Sequence, residues 1–274
     1  MSDAEVIRVG SGWLALREPA DAAARARDLA EALERALPAG GSRVIHDLGC
    51  GTGSMGRWLA PLLGGPQHWV LHDRDDDLLA RAAADAPGPA ADGAAVTVAT
   101  KQTDLARLDS DDLAGASLIT ASALLDMLTG EELEQLAGIC AGAGCPILLT
   151  LSVVGQVELA PAEPLDRRVA AAFNAHQRRT TRRGKLLGPD APEVAAEEFR
   201  RLGAEVIVSP SPWRLGPTHS ELTAEWLTGW VDAACEQEPE LVGECEPYAR
   251  RRLEQARAGE LAVTVGHADL LVLW

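Results

Sequence analysis

Val44-Ile45-His46-Asp47-Leu48-Gly49-Cys50-Gly51-Thr52-Gly53-Ser54 is the stretch that decides the fold. A short apolar run ends in an acid, and three glycines follow at alternate positions. A helical pattern, Met55 to Leu63, comes next. This is the grammar of a parallel strand, a tight turn and a helix start. Glycine lacks the Cβ that would hinder a sharp turn or a ligand lying against the backbone. The helix start adds free N–H groups and a partial positive charge.

Downstream, strand and helix alternate, as in a parallel sheet covered on both faces. Strands are expected at His68 to His72, Ala94 to Thr100, Ala116 to Ala121, Pro146 to Val154, Ala204 to Ser209 and Ala262 to Trp274. Helices are expected at Asp75 to Asp85 and Glu193 to Leu202, with two more in Pro217 to Gly259. Thr129-Gly130-Glu131-Glu132 has the spacing of a capping box. Gly266-His267 inside the last strand suggests a bulge. Upstream, Leu29, Leu33 and Leu37 recur every fourth residue, so Ala20 to Leu37 reads as one helix with Pro19 near its start.

The order of acid and glycines, Asp47-x-Gly49-x-Gly51-x-Gly53, resembles the first motif of the class I S-adenosylmethionine-dependent methyltransferases. It differs from the G-x-G-x-x-G of dinucleotide enzymes, which suits a pyrophosphate. Asp47 adds negative charge, which suits a ligand with an ammonium and a sulfonium. A glycine-rich turn without a ligand is the alternative. The resemblance covers roughly residues 40 to 155 and, more weakly, the final strands. It implies a seven-stranded, mostly parallel Rossmann-like α/β sheet with an antiparallel last strand, and S-adenosylmethionine as cofactor. One domain over 1–274 is expected, with an N-terminal appendage at 1–40 and helical insertions after strands five and six, at 155–190 and 215–260.

Site residues follow from position and from the resemblance. Asp47, Gly49, Gly51 and Gly53 form the cofactor turn. Asp73 ends the second strand 20 residues past Gly53, where the family holds the ribose; otherwise it opens the Asp-rich turn and caps the helix. Asp104 matches the acid that meets the adenine amino group, with the backbone of Leu105 on the ring; an ordinary loop aspartate is the other reading. In relatives an N-terminal helix lies over the cofactor, which implies that Arg17 and Arg25 meet its carboxylate or an acidic substrate. The bland reading is two solvated arginines. Ser122 and Asp126 follow the carboxyl end of the fourth strand, where open α/β sheets hold their ligands.

The segment Gly155 to Gly188 concentrates Arg167, Arg168, Arg178, Arg179, Arg182, Arg183 and Lys185. It reads as a substrate lid binding an anion through Arg178, Arg179 and Trp213, or as a solvated face paired with acids. Trp226 and Trp230, four apart, read as packing. Methyl transfer is an in-line displacement that needs an oriented nucleophile. Asp126 and His176 are the candidates for taking its proton.

Composition narrows the partners. Of 274 residues, 25 are Lys or Arg and 41 Asp or Glu, a net charge of −16. Such a chain repels nucleic-acid backbones and anionic membranes unless one face is basic. No nucleic-acid or membrane partner is therefore expected, and a small metabolite is, anionic because the arginine forks of 155–188 suit phosphate or carboxylate. An RNA methyltransferase using the arginines of 167–185 is the alternative enzyme, a non-catalytic binding or partner subunit the alternative class, and an NAD-dependent enzyme a third. The five cysteines form no C-x-x-C pair, so no metal is expected and reduced thiols in a cytoplasmic enzyme are. Met1 to Gly10 carries no leader pattern, and no window is apolar enough to span a bilayer. A monomer or homodimer is expected.

Overall fold

Strand β1 (Arg43–Leu48) lies in the middle of the sheet, buried along nearly its whole length. In this computed structural model residues 9–274 are described. Residues 1–8 begin the expected appendage and include most of the stretch read for a leader; they lie outside the described residues. After β1 come β2 (Gln67–Asp73), β3 (Val96–Gln102), β4 (Leu118–Ser122) and β5 (Ile147–Ala160). Then follow β6 (Thr180–Thr181), β7 (Gly184–Lys185), β8 (Glu205–Pro210), β9 (Trp213–Leu215) and β10 (Ala262–Leu273).

The main sheet runs β3-β2-β1-β4-β5-β10-β8, and β9 also pairs with β10. β1 to β5 are mutually parallel. β10 is antiparallel to β5, β8 and β9. The expected sheet is therefore present, with β9 as an eighth strand. Ala268 to Leu273 pairs with β8, whereas Val263 to Val265 pairs with β9. β6 and β7 form a separate hairpin.

The helices are α1 (Ser11–Ala24), α2 (Arg27–Ala36), α3 (Ser54–Leu59), α4 (Asp76–Ala84), α5 (Gly130–Ala143), α6 (Asp166–Gln177), α7 (Ala191–Arg201), α8 (Ser220–Gln237) and α9 (Val242–Ala258). Leu133 of α5 and Phe199 of α7 pack on Ile119 and Leu270 on one sheet face. Leu33, Leu59 and Leu79 of α2, α3 and α4 pack on Trp69 and Leu271 on the other. A third cluster, with Leu227, Trp230 and Tyr248, joins α6, α8 and α9 to β9 and the start of β10.

Local chemistry explains several boundaries. Thr129 and Glu132 make the expected capping box on α5. Asp75 caps α4 by accepting from Asp77 and Leu78 N–H. The bulge is present: the register of β10 against β5 shifts between Val265 and His267. A Cβ on Gly266 would stand 2.8 Å from Val154 Cγ2, so only glycine fits there.

Three expectations are corrected. The single helix over 20–37 is two helices, α1 and α2, broken at Arg25 and Ala26, with Pro19 inside α1. The break is fixed from outside, because the Asp269 carboxylate accepts the Ala26 N–H at 2.8 Å. The fifth strand runs past Val154 to Ala160, since β10 stays paired with it as far as Ala262↔Ala160. The insertion expected from 155 therefore begins inside a strand.

α6 and α9 are joined by a buried charge pair. Arg252 is fully buried. Its Nη2 donates to both Asp166 oxygens at 2.6 and 2.7 Å, and the Tyr248 hydroxyl donates to Asp166 at 2.7 Å. Asp166→Ala would leave that guanidinium without its main partner. The expected loss is roughly 3–5 kcal/mol. Thermal unfolding should then shift down by on the order of 10 °C; an unchanged midpoint would show that Glu163, 3.6 Å from Arg252 Nε, suffices alone.

Candidate active site

The turn after β1 closes through its glycines. Gly49, Gly51 and Gly53 have φ of 66°, 55° and 82°, in the left-handed region that side chains avoid. Gly51 N–H donates to Asp73 Oδ2 at 2.9 Å, and the other Asp73 oxygen accepts Asp75 N–H at 3.0 Å. The acid ending β2 thus holds the turn after β1 in place.

A cavity opens over this turn. Leu14, Arg17, Asp21, Asp47, Gly49, Cys50, Gly51, Thr52, Ser54, Met55, Ser122 and Ala123 line it. Its volume is about 50 Å³, space for a water or two. α1 makes it narrow. An ideal Cβ on Gly51 would lie 3.2 Å from Leu14 Cδ1, and Glu18 of α1 is clamped to Arg57 of α3 at 2.6 Å.

Electrostatics distinguish the floor from the walls. Asp47 is 1% exposed. Thr120 Oγ1 donates to its Oδ1 at 2.7 Å, and Oδ2 has no hydrogen-bond partner. Burial pushes its carboxyl up to about 7, against the pull of Thr120 and of the nearby Arg25, with Asp73 adding to the rise. Arg17 forks onto Asp21 at 2.9 and 3.2 Å. Trp213 Nε1 donates to the same Asp21 at 2.9 Å. Arg25 is 2% exposed. Its Nη2 donates to Ser54 Oγ and to Ser122 Oγ, each at 3.1 Å, and its Nε has no partner. Burial lowers its pKa.

Of the residues expected at the site, Arg17, Asp47, Gly49, Gly51 and Ser122 line one cavity. Gly53 caps α3 next to it. Asp73 stands beside Gly51, outside the lining. Leu105 Cδ1 comes within 3.9 Å of an ideal Cβ on Gly49. Asp126 is half-buried, and burial pushes its carboxyl up to about 6, opposed by the charges of Arg17 and Arg179.

Others are placed differently. Asp104 is exposed and caps a 3-10 turn by accepting Ala106 N–H, the role of an ordinary loop aspartate. His176 Nε2 meets Glu236 of α8 at 3.2 Å, which turns its ring toward α8. Arg178 forks onto Asp190 at 2.5 and 2.6 Å. Trp213 is 3% exposed and packed beside His267 and Trp13. Trp213 is thus part of the packing, and Arg178 and His176 each already have an acidic partner. Arg168 and Arg183 likewise pair with Glu238, Glu244 and Glu132. Arg179 instead donates to the His176 carbonyl at 3.1 Å. Sequence reasoning passed over Ser54 and Asp269. Ser54 stood at the edge of the motif as a visible signal, whereas nothing local marks Asp269.

No family model matches this chain, and no curated protein matches it in sequence. Solved structures do match it. A cyclopropane-fatty-acyl-phospholipid synthase-like protein from Lactobacillus casei is 17% identical, with a TM-score of 0.52 over 98% of this chain and 96% of that one. A cyclopropane synthase from Mycobacterium tuberculosis is 12% identical, with a TM-score of 0.50 over 96% and 94%. What these likenesses show is the fold: a mixed α/β sheet, mostly parallel, with an antiparallel last strand. Among the described residues no helix is long and apolar enough to cross a membrane.

Proposed function

We propose that this chain binds S-adenosylmethionine over the glycine turn and transfers its methyl group to a small, anionic metabolite. One observation carries the reading. A buried acid, Asp47, near the end of β1, has a carboxylate oxygen without a hydrogen-bond partner and lines a cavity whose wall holds the cation Arg17, forked onto Asp21, and the hydroxyls of Thr52, Ser54 and Ser122. An α-amino acid presents the complementary pair, an ammonium and a carboxylate. The turn also fits the cofactor. Gly49 and Gly51 give the backbone room, and each Asp73 oxygen keeps a lone pair beyond its N–H bond for a ribose hydroxyl.

When bound, the cofactor supplies an electrophilic methyl on a sulfonium. The chain's residues do the rest. Asp47 would hold the ammonium, Ser54 and Ser122 with the Asp21-paired Arg17 would hold the carboxylate, and Leu105 would flank the adenine. Asp126 takes the acceptor's proton: a carboxyl near 6 is ionised at neutral pH and still basic enough to receive it. Arg179, whose charge acts on Asp126, would hold the acceptor's negative group. Entry of a nucleoside into so narrow a cavity requires α1 to swing away and return.

In this reading 1–274 acts as one domain, with 155–190 and 215–260 as the substrate-side cap of a cytoplasmic enzyme. Incubation with methyl-labelled cofactor and a host metabolite extract, followed by mass spectrometry, tests it. A labelled small product is expected, and loss of that label in Asp126→Asn. Label on RNA alone would favour the alternative enzyme. The narrow cavity favours a second reading, a partner subunit without turnover; binding of S-adenosylhomocysteine with no labelled product from any extract would support it.

A further inference from the structure

Two hydroxyls in the cavity wall accept from buried groups behind them, and for one, Ser122, this directs the proton. A guanidinium only donates. Arg25 therefore occupies a lone pair on Ser54 Oγ and another on Ser122 Oγ. Thr150 Oγ1 donates to Ser122 Oγ as well, at 3.0 Å. With both lone pairs of Ser122 taken, its own proton is left to point outward. Both serines line the cavity.

A single carboxylate anchors the two groups that feed Ser122. Asp269 is fully buried in β10. Its Oδ2 accepts the N–H of Ala26, the residue after Arg25, at 2.8 Å. Its Oδ1 accepts the N–H of Leu151, the residue after Thr150, at 2.7 Å, and the Ser211 hydroxyl at 2.5 Å. Both neighbours sit where regular structure breaks. Ala26 lies between α1 and α2, and Leu151 has a φ of 57° inside β5. At those breaks Arg25 and Thr150 turn toward Ser122.

We infer that Ser54 and Ser122 form a carboxylate-recognising pair of hydroxyl donors, and that Asp269 is the positioning residue that sets it by way of Arg25 and Thr150. The inference rests on the proposed function and deepens it. The ligand class it names is an adenosyl compound bearing a free α-carboxylate.

The test uses two probes, S-adenosylhomocysteine and its decarboxylated analogue, which keeps the amine. Calorimetry of the full chain compares wild type with Asp269→Asn, Ser122→Ala and Thr150→Val. The last variant keeps the side chain's shape and removes only the hydroxyl that donates to Ser122 Oγ. It leaves the Asp269 bonds to Ala26 and Leu151 in place, so it remains informative if Asp269→Asn does not fold. Each variant is expected to bind S-adenosylhomocysteine roughly ten- to a hundredfold more weakly, the range of one lost bond to a charged group. The analogue should change less than about twofold. Ser122→Ala combined with Thr150→Val should lose little beyond either alone, because they act on one contact. Equal weakening of both probes, or none of either, overturns the inference and leaves the proposed function standing. A wild type that binds neither probe overturns both.

Discussion

Gly51→Val is expected to abolish binding of S-adenosylhomocysteine, by more than about a hundredfold, while the fold survives. Gly51 sits at φ 55°, where a residue with a Cβ costs on the order of 1–2 kcal/mol and a β-branched one more. The new Cβ would also press on Leu14 at 3.2 Å. Flipping the peptide to escape would withdraw the N–H from Asp73, and with it the link between the turn and the acid that ends β2. Calorimetry measures the affinity, and circular dichroism should show a thermal midpoint only a few degrees lower. Gly88→Ala is the control, since nothing lies within 4 Å of that position. Retained binding in Gly51→Val would mean that the turn does not touch the ligand.

Asp47→Asn is expected to separate stability from binding. The folded carboxyl titrates at about 7, well above the about 3.9 of an ordinary aspartate, chiefly because it is buried. Between those pH values the folded chain holds a proton that the unfolded chain has released. Ionisation therefore destabilises the free protein as pH rises from about 4 to 7, by an amount on the order of 4 kcal/mol. Asparagine keeps the bond from Thr120 without the charge. At pH 8 the variant should melt higher than wild type, and at pH 4 the two should coincide. A cationic ligand reverses the preference, because it supplies the missing partner. Wild-type affinity for S-adenosylhomocysteine should rise about tenfold from pH 6 to pH 8, as the ionised fraction of a group near 7 grows. In Asp47→Asn that dependence should vanish and the affinity at pH 8 should fall at least as much. A pH-independent wild type would place the ammonium elsewhere.

The parts of the fold legible in the sequence were those written in local patterns. The acid and three glycines after β1 announce a turn that only glycine can make, and the three φ values bear that out. The capping box at Thr129 and Glu132 and the bulge at Gly266 are similarly local. What escaped depends on partners far along the chain. Leu29, Leu33 and Leu37 continue the rhythm of α1 into α2, so nothing nearby marks the break at Ala26; Asp269 makes it from 243 residues away. β5 runs on because β10 pairs with it, and β9 exists for the same reason.

The site divides along similar lines. Asp47 and the glycines share a motif and came together in space. The arginine cluster looked like one basic surface, but folding hands Arg178 to Asp190, Arg183 to Glu132 and Arg168 to Glu238. Sequence spacing does not show these pairings, which give three of the arginines an acidic partner. Arg25 shows the opposite case. A residue that reads as a solvated helix arginine is 2% exposed and bonded to two serines of the cavity wall.

A sulfonium nucleoside with a free amino acid group is expected to fit over the turn between Asp47 and Ser54. Isothermal titration of the wild-type chain at pH 8 with S-adenosylhomocysteine, and separately with NADH, addresses this most directly. One site per chain for the first ligand and no heat from the second is the predicted result. Saturable NADH binding, or no heat from S-adenosylhomocysteine, would contradict it.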